Sequence, residues 1–361
     1  MKKVLVINTN HYDYTGIVSF IRNYCYAVND NNLIIEYAAF EIHDQFRNEL
    51  DELKLTYYEI PGKKRSPYKY YLTLNKILKN NYDVVHVHGN SSLMAIELFL
   101  ARLHGIKKRI AHCHNTTCEH MMLNRILRPL FIFSCTDRLA CSIDSGKWMY
   151  GNNSFVVMTN AIDLGKFSFN ENKRYNIRKE LNILENEIVL GHVGHFNEQK
   201  NHNFLVNIFA QFHKKHPHSK LLLVGGGVLE NEIRTKVNDL QLTDSVIFLG
   251  KRNDIENIMC GMDCFVFPSK WEGLGIVLIE AQATGLPCCV SSKVPEEAQM
   301  TSAYYRIDLK NSVDDWFEVV DLTINNKHDR KELSTENSIE VEKRGYSIQL
   351  ERKKLVNIYL Q

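Results

Sequence analysis

The chain has 361 residues, 44% of them hydrophobic and 24% charged, with a formal net charge of +2. That is ordinary globular composition, too long for one typical core and suited to two domains of about 150–200 residues. The near-neutral balance argues against a dedicated nucleic-acid binder, although short basic clusters at 63–65 and 107–109 offer contacts for an anionic surface or acceptor.

Residues 4–7 form a short apolar run of the buried parallel-strand kind. It is too short for a signal-peptide core, and no apolar run reaches membrane-spanning length, so a cytoplasmic protein is expected. A polar loop over 8–15 follows, and Gly16 opens a helical pattern through Ile17, Val18, Phe20, Ile21 and Tyr24. Strand, glycine-bearing loop and helix is how a doubly wound α/β domain begins. Further strands are predicted at 33–39, 84–87, 109–111, 138–140 and 155–158, with a helix over 92–103. A second β/α series has strands at 188–193, 221–224, 246–248, 264–267 and 287–290. Helices are predicted between them at 204–216, 229–240, 255–262 and 276–284. The domain boundary should fall in the polar stretch 160–187, which holds one helix-like segment at 175–181.

The nine cysteines are Cys25, Cys113, Cys118, Cys135, Cys141, Cys260, Cys264, Cys288 and Cys289. Most lie in apolar runs and no CxxC pair occurs, as expected of free thiols in a reducing compartment. In the N-terminal half His86 and His88 alternate along a strand and so share a face, and His112 and His114 repeat the pattern. No acid sits among them and no usual metal spacing appears, so no metal site is expected. A histidine facing substrate, binding hydroxyls or accepting a proton, is the preferred reading.

Glycines mark the chemistry of the C-terminal half. Gly194 follows a buried strand, and Lys200 sits in the ensuing loop before a helix expected near Asn201. Ligands of open α/β sheets bind at such carboxyl ends, where glycine admits a phosphate and a helix start favours an anion. Gly225-Gly226-Gly227 ends another strand, and either cradles phosphate or makes the turn. A third loop reads Pro268-Ser269-Lys270-Trp271-Glu272-Gly273-Leu274-Gly275, with Glu280 one turn into the apolar helix that follows. A carboxylate there can accept two ribose hydroxyls, whereas surface pairing with lysine would be the plain alternative.

These segments together resemble the retaining GT-B glycosyltransferases of family GT4, especially the branch that builds bacterial capsular polysaccharides and exopolysaccharides. The likeness runs from Val4 to about Leu360. It is most specific in the Glu-x7-Glu pattern from Glu272 to Glu280, within Pro268-Ser269-x-x-Glu272-Gly273-Leu274. Gly194 through Lys200-Asn201, and Asn160-x-Ile162-Asp163, also match family segments.

The resemblance implies two Rossmann-like parallel-sheet domains facing a central cleft. Residues 1–165 would bind the acceptor, 166–340 the nucleotide-sugar donor, and 341–361 would form a helix crossing back to the N-terminal domain. The donor would be UDP-linked in most relatives, with no tightly bound cofactor and no divalent metal. Lys200 matches the diphosphate-binding lysine, Glu280 the ribose acid and Glu272 the acid near the transferred sugar. Gly16 matches the glycine of the first loop near the donor phosphates, and His114 a histidine contacting the transferred sugar. Gly194, Gly225, Gly273 and Leu274 complete the expected donor site. His195 stands where many relatives carry arginine, and Arg252 is expected to share that load. Thr15 and Ala161 replace glycines common in relatives.

The implied reaction moves a sugar to a saccharide acceptor, lipid-linked at the inner membrane face. Attack comes from the front face, and the leaving phosphate takes the proton. The apolar stretch 121–133, broken by Arg125 and Arg128, reads either as an interfacial helix for that anionic membrane or as a core helix. The rival readings are a nucleotide-sugar epimerase of the same architecture, which needs no acceptor, and a non-catalytic nucleotide-binding protein.

Overall fold

The computed structural model describes residues 1–12, 16–26, 32–326 and 329–361; Thr15 lies outside the described residues. The described chain divides into two compact units, residues 1–161 with 348–361, and residues 162–347. The sequence reading puts these divisions at 165/166 and 340/341 instead; residues 341–347 belong to the second unit.

The first unit runs β1 (Lys2–Tyr12), α1 (Gly16–Tyr24), β2 (Leu33–Ile42), α2 (Asp44–Glu52), β3 (Tyr57–Glu59), α3 (Pro67–Ile77) and β4 (Val84–Gly89). It continues with α4 (Ala95–Leu103), β5 (Lys108–Cys113), α5 (Met121–Ser134), β6 (Asp137–Ala140), α6 (Ile143–Tyr150) and β7 (Val156–Val157). The second unit holds α7 (Glu171–Glu180), β8 (Ile188–Val193), α8 (His202–Lys215), β9 (Ser219–Val224), α9 (Glu230–Asp239) and β10 (Val246–Gly250). After these come α10 (Ile255–Gly261), β11 (Cys264–Phe267), α11 (Ile276–Ala283), β12 (Cys288–Ser291), β13 (Tyr304–Ile307), α12 (Val313–Asn325) and α13 (Arg330–Lys343). Helix α14 (Ile348–Leu360) returns to the first unit.

Both sheets are parallel and doubly wound. Their orders are β3-β2-β1-β4-β5-β6-β7 and β10-β9-β8-β11-β12-β13. The order reverses between β1 and β4 in one unit and between β8 and β11 in the other, the positions where open α/β sheets bind ligands. The strands are apolar because helices cover both faces. In β1, Val4 and Val6 join one core while Leu5 and Ile7 join the opposite one. In β9, Leu222 and Val224 face one core while Leu221 and Leu223 face the other. Burying each such side chain contributes roughly 1.5–3 kcal/mol.

The strand signals at 84–87, 109–111, 188–193, 221–224, 246–248 and 264–267 fall on observed strands. The predicted helix 92–103 begins as a 3-10 turn at Ser92–Met94 before α4. Helix α5 divides the two readings of its sequence between its faces. Phe131 and Ser134 are buried, whereas Met121, Met122, Leu123, Ile126 and Phe133 are exposed. All nine cysteines are free thiols, and seven of them are buried.

Helix α14 buries Ile348, Leu355 and Tyr359 in the same core as Val4 and Val6. The Lys2 ammonium donates to the Leu360 carbonyl at 2.6 Å, and Arg352 Nε to the Asn23 carbonyl at 2.6 Å. Replacing the fully buried Leu355 with alanine should therefore cost about 2–5 kcal/mol. Deleting residues 345–361 should lower the unfolding temperature and the solubility. Denaturant melts check both, and an unchanged midpoint in either variant would show that α14 adds nothing to the first unit's core.

Candidate functional site

In the second unit three loops leave the carboxyl ends of β8, β9 and β11. The first two are held together by backbone contacts that only glycine permits. Gly225 has φ +138°, and a Cβ there would lie 2.1 Å from the Gly194 carbonyl oxygen. A Cβ on Gly227 would lie 2.5 Å from the Phe196 carbonyl oxygen. The Gly194 amide donates to the Val224 carbonyl at 2.9 Å and the Leu229 amide to the Phe196 carbonyl at 3.0 Å. The glycine triplet therefore docks one loop on the other. That is what the structure gives Gly225, which the sequence reading assigned to the donor.

The first loop is tied as closely to the third. The Lys270 amide donates to the Gln199 carbonyl at 2.8 Å, Gln199 Nε2 to the Trp271 carbonyl at 2.9 Å, and Asn201 Nδ2 to the Pro268 carbonyl at 3.1 Å. Asn201 sits at φ +57° as the residue before α8. Lys270 Nζ pairs with Glu198 at 2.6 Å. This zipper brings together two of the expected residues. Lys200 Nζ lies 2.6 Å from Glu272 Oε1, with side chains 15% and 7% exposed. Lys200 Nζ also stands 4.5 Å above the Phe267 ring, and Asn197 Oδ1 accepts the Lys200 amide at 3.1 Å. Phe267 and Asn197 were not singled out from the sequence. Asn197 lay inside the glycine-marked segment, but Phe267 read only as the end of a strand.

Helix α11 starts at Gly275 in the left-handed region, φ +76°, without any side-chain cap. Its first amides are thus free of the protein side chains that would otherwise satisfy them. A Cβ on Gly275 would lie 3.8 Å from Glu272 Cγ, which puts this helix start beside the Lys200–Glu272 pair. An uncapped helix start beside a lysine is suited to an anion. Gly273 is exposed with open space at its Cβ position, while Leu274 packs against the core.

Glu280 lies on α11, partly exposed, and its carboxyl makes no hydrogen bond or ion pair with any described residue. Burial pushes its carboxyl up to about 7; Lys166 opposes this and Glu256 adds to it. Lys166 is itself paired with Glu256 at 3.4 Å, which leaves Glu280 to face a ligand or solvent.

Two expected residues are differently placed. Arg252 gives its Nε and one terminal nitrogen to Asp254, at 2.8 and 2.7 Å, and the other to Glu180 at 2.9 Å. Its charge is already matched by two carboxylates, which argues against the diphosphate role expected for it. His195 Nδ1 donates to the Gly226 carbonyl at 3.0 Å, which leaves Nε2 as its one remaining polar atom, where arginine would offer several donors. It does not reproduce an arginine.

In the first unit Gly16 begins α1, and a Cβ there would meet nothing within 4 Å. The four histidines gather at the carboxyl ends of β4 and β5. His86 and His112 stack at 5.4 Å, and His88 and His114 at 5.1 Å. Burial holds all four well below the usual histidine range, with His86 and His114 at about 3, so the rings are neutral. Nitrogens of His88, His112 and His114 lie within 4.8 Å of one another, as do ligand atoms of Cys25, His86 and His88. Tyr359 also enters this cluster, through a contact with His86 that sequence separation hides.

The Glu280 carboxyl gives a pH prediction. Its folded pKa of about 7 lies above the ordinary 4.5, so burial favours the neutral acid. The stabilising contribution is full below 4.5 and is lost as pH rises through 7. Glu280→Gln should therefore stabilise the ligand-free protein at pH 8.5, by at most about 3 kcal/mol. The gain should vanish near pH 4.5. Thermal unfolding of both proteins across this range checks it; a difference independent of pH would reject a desolvated acid.

Residues 173–338 match the family Glycosyl transferases group 1. EpsF of Bacillus subtilis is 29% identical over 308 residues, 81% of this chain and 79% of that protein. The UDP-Gal:alpha-D-GlcNAc-diphosphoundecaprenol alpha-1,3-galactosyltransferase of Escherichia coli is 33% identical over 236 residues, 61% of each chain. Among solved structures, Anabaena HepE in complex with UDP-glucose superposes with a TM-score of 0.76 at 18% identity, covering 99% of both chains. A glycosyltransferase from Rickettsia africae superposes with a TM-score of 0.82 at 16% identity, covering 99% of this chain and 97% of that one. These structural likenesses carry the fold, and the sequence matches carry the likeness to glycosyltransferases. The chain is a glycosyltransferase with the GT-B fold, and it is similar to family GT4 and to the bacterial glycosyltransferases of capsular polysaccharide and exopolysaccharide synthesis.

Proposed function

We propose that this protein is a retaining transferase that moves a sugar from a UDP-sugar to a saccharide acceptor in polysaccharide synthesis. The observation that carries this reading is the Lys200–Glu272 pair beside the uncapped start of α11, with the unpaired Glu280 on that helix. The names of two similar proteins support the donor class: one is a UDP-galactose transferase, and the other was crystallised with UDP-glucose.

In this reading Glu280 accepts the two ribose hydroxyls, and the α11 amides and Lys200 receive the diphosphate. Glu272 orients Lys200 and addresses the transferred sugar, which His114 also addresses, and Gly16 serves the donor phosphates. Charge grows on the diphosphate as its bond to the anomeric carbon breaks. A preorganised ammonium therefore stabilises the transition state more than the ground state. The acceptor oxygen forms the new bond on the same face, and its proton passes to the departing phosphate oxygen. No divalent metal is assigned to this step, since lysine and helix amides supply the positive charge.

Two variants separate binding from turnover. Lys200→Ala should cut turnover at saturating donor by roughly 100-fold or more, the scale of losing one preorganised electrostatic group. Lys200→Arg should recover only part, because a planar fork does not replace an ammonium at one point. Glu280→Gln should chiefly weaken UDP binding, by roughly 1.5–3 kcal/mol for each charged hydrogen bond lost. Steady-state kinetics over a panel of nucleotide sugars, with calorimetry on free UDP, reads both. Folded variants with wild-type turnover and UDP affinity would overturn the donor-site assignment. Product formation that needs no acceptor would favour the epimerase reading instead.

The acceptor in this reading is lipid-linked, as the name of the similar E. coli transferase suggests. Helix α5 supplies the means of approach. Met122 and Ile126 are 79% and 66% exposed, and the exposed Arg125 lies between them. Apolar side chains mixed with arginine suit the headgroup region of an anionic bilayer. No helix among the described residues is long and apolar enough to cross a membrane. Met122→Ser with Ile126→Ser should reduce binding to phosphatidylglycerol vesicles without shifting the melting temperature. Wild-type protein that ignores such vesicles at low salt would rule out this route.

A further inference from the structure

The four-histidine cluster of the first unit fixes where its protons sit. His86 Nδ1 lies 2.7 Å from Tyr359 Oη, His86 Nε2 lies 3.3 Å from His112 Nδ1, and His88 Nδ1 lies 2.9 Å from His114 Nε2. Two ring nitrogens, Nε2 of His88 and Nε2 of His112, are buried and have no hydrogen-bond partner among the described residues. A neutral imidazole carries one proton. If His88 carried it on Nε2, a buried N–H would be orphaned. On Nδ1 the proton is bonded, and only a lone pair is left bare. Orphaned buried N–H groups are the rarer of the two.

The same rule applied to both orphans orders the whole cluster. His112 Nδ1–H donates to His86 Nε2, His86 Nδ1–H to Tyr359 Oη, and the Tyr359 hydroxyl turns to Cys25 Sγ at 3.8 Å. On the other branch His88 Nδ1–H donates to His114 Nε2. That bond occupies the Nε2 lone pair of His114, so the His114 proton resides on Nδ1. The ring is partly exposed, and its Nδ1 makes no hydrogen bond with a described residue.

We propose that His88 is a positioning residue that holds His114 in the Nδ1–H form, so that His114 donates a hydrogen bond to a sugar oxygen and does not serve as a proton acceptor. This rests on the reading above, in which His114 addresses the transferred sugar. It sharpens that reading, because the acceptor's proton must then leave by another route, the departing phosphate. Bare Nε2 lone pairs on His88 and His112 would also suit a soft metal ion, and zinc is accordingly part of the test.

Long-range nitrogen–proton NMR on histidine-labelled, ligand-free protein reads the tautomers directly, with His114→Gln and His88→Leu assigning the signals. The expected result is a pyrrole-type Nδ1 and a pyridine-type Nε2 for His114. In His88→Leu the His114 pattern should change, and turnover with a UDP-sugar should fall roughly tenfold or more at little change in donor KM. His88→Asn, whose amide N–H can stand where Nδ1–H stood, should restore both the His114 pattern and most of the turnover. An Nε2–H form of His114 in the wild type overturns the assignment. So does zinc binding that shifts His88 and His112, and so does full turnover in a folded His88→Leu. None of these outcomes touches the Lys200 and Glu280 variants, which test the donor site separately.

Discussion

Parallel pairing of β8 with β9 and β11 decides where the charged residues of the second unit can meet. A parallel sheet returns every connection to the same edge, so the loops after successive strands are forced together. Three such loops then compete for one small volume. The Gly194–Gly225 contact resolves that competition, because a Cβ at position 225 would sit 2.1 Å from a carbonyl oxygen. With the first two loops in backbone contact, the third closes on the first through Gln199, Lys270 and Asn201. Lys200 and Glu272, far apart in the chain, end 2.6 Å apart.

Charge sets the next constraint. Lys200 is largely buried beside Glu272, and neither charge could be left there alone at low cost. Glu280 has no such partner, and its carboxyl is pushed up to about 7. A desolvated acid with open valences is a liability to the empty protein and an asset once hydroxyl donors arrive. This is the trade between stability and activity that binding sites commonly make. Arg252 shows the opposite arrangement: two carboxylates satisfy it, and its charge is spent on its own surroundings.

The histidine cluster of the first unit handles polarity without charge. Burial keeps all four histidines neutral; His112 and His86 are bonded ring to ring as far as Tyr359 on the final helix, while His88 pairs separately with His114. Helix α14 thus does more than fill a core. Its last aromatic residue ends a polar chain that begins at the carboxyl edge of the sheet, near the reversal of strand order between β1 and β4.

Local patterns were legible because they depend on near neighbours in the chain. Apolar runs marked both sheets, glycines marked the loops, and the spacing from Glu272 to Glu280 marked α11, the helix of the proposed donor site. Strand β3 and helices α2 and α3 escaped notice, since β3 is three residues long and its neighbouring helices carry mixed polar sequences. Helix α12 escaped as well, although Trp316 and Val320 are fully buried. Which polar group meets which was beyond the sequence altogether. Arg252 could be read as a phosphate ligand until Asp254 and Glu180 were seen to hold it, and His86 gave no hint of a partner 273 residues away. Composition and periodicity determine what a segment buries. Hydrogen bonds and ion pairs act over about 3 Å, so only the folded chain decides their partners.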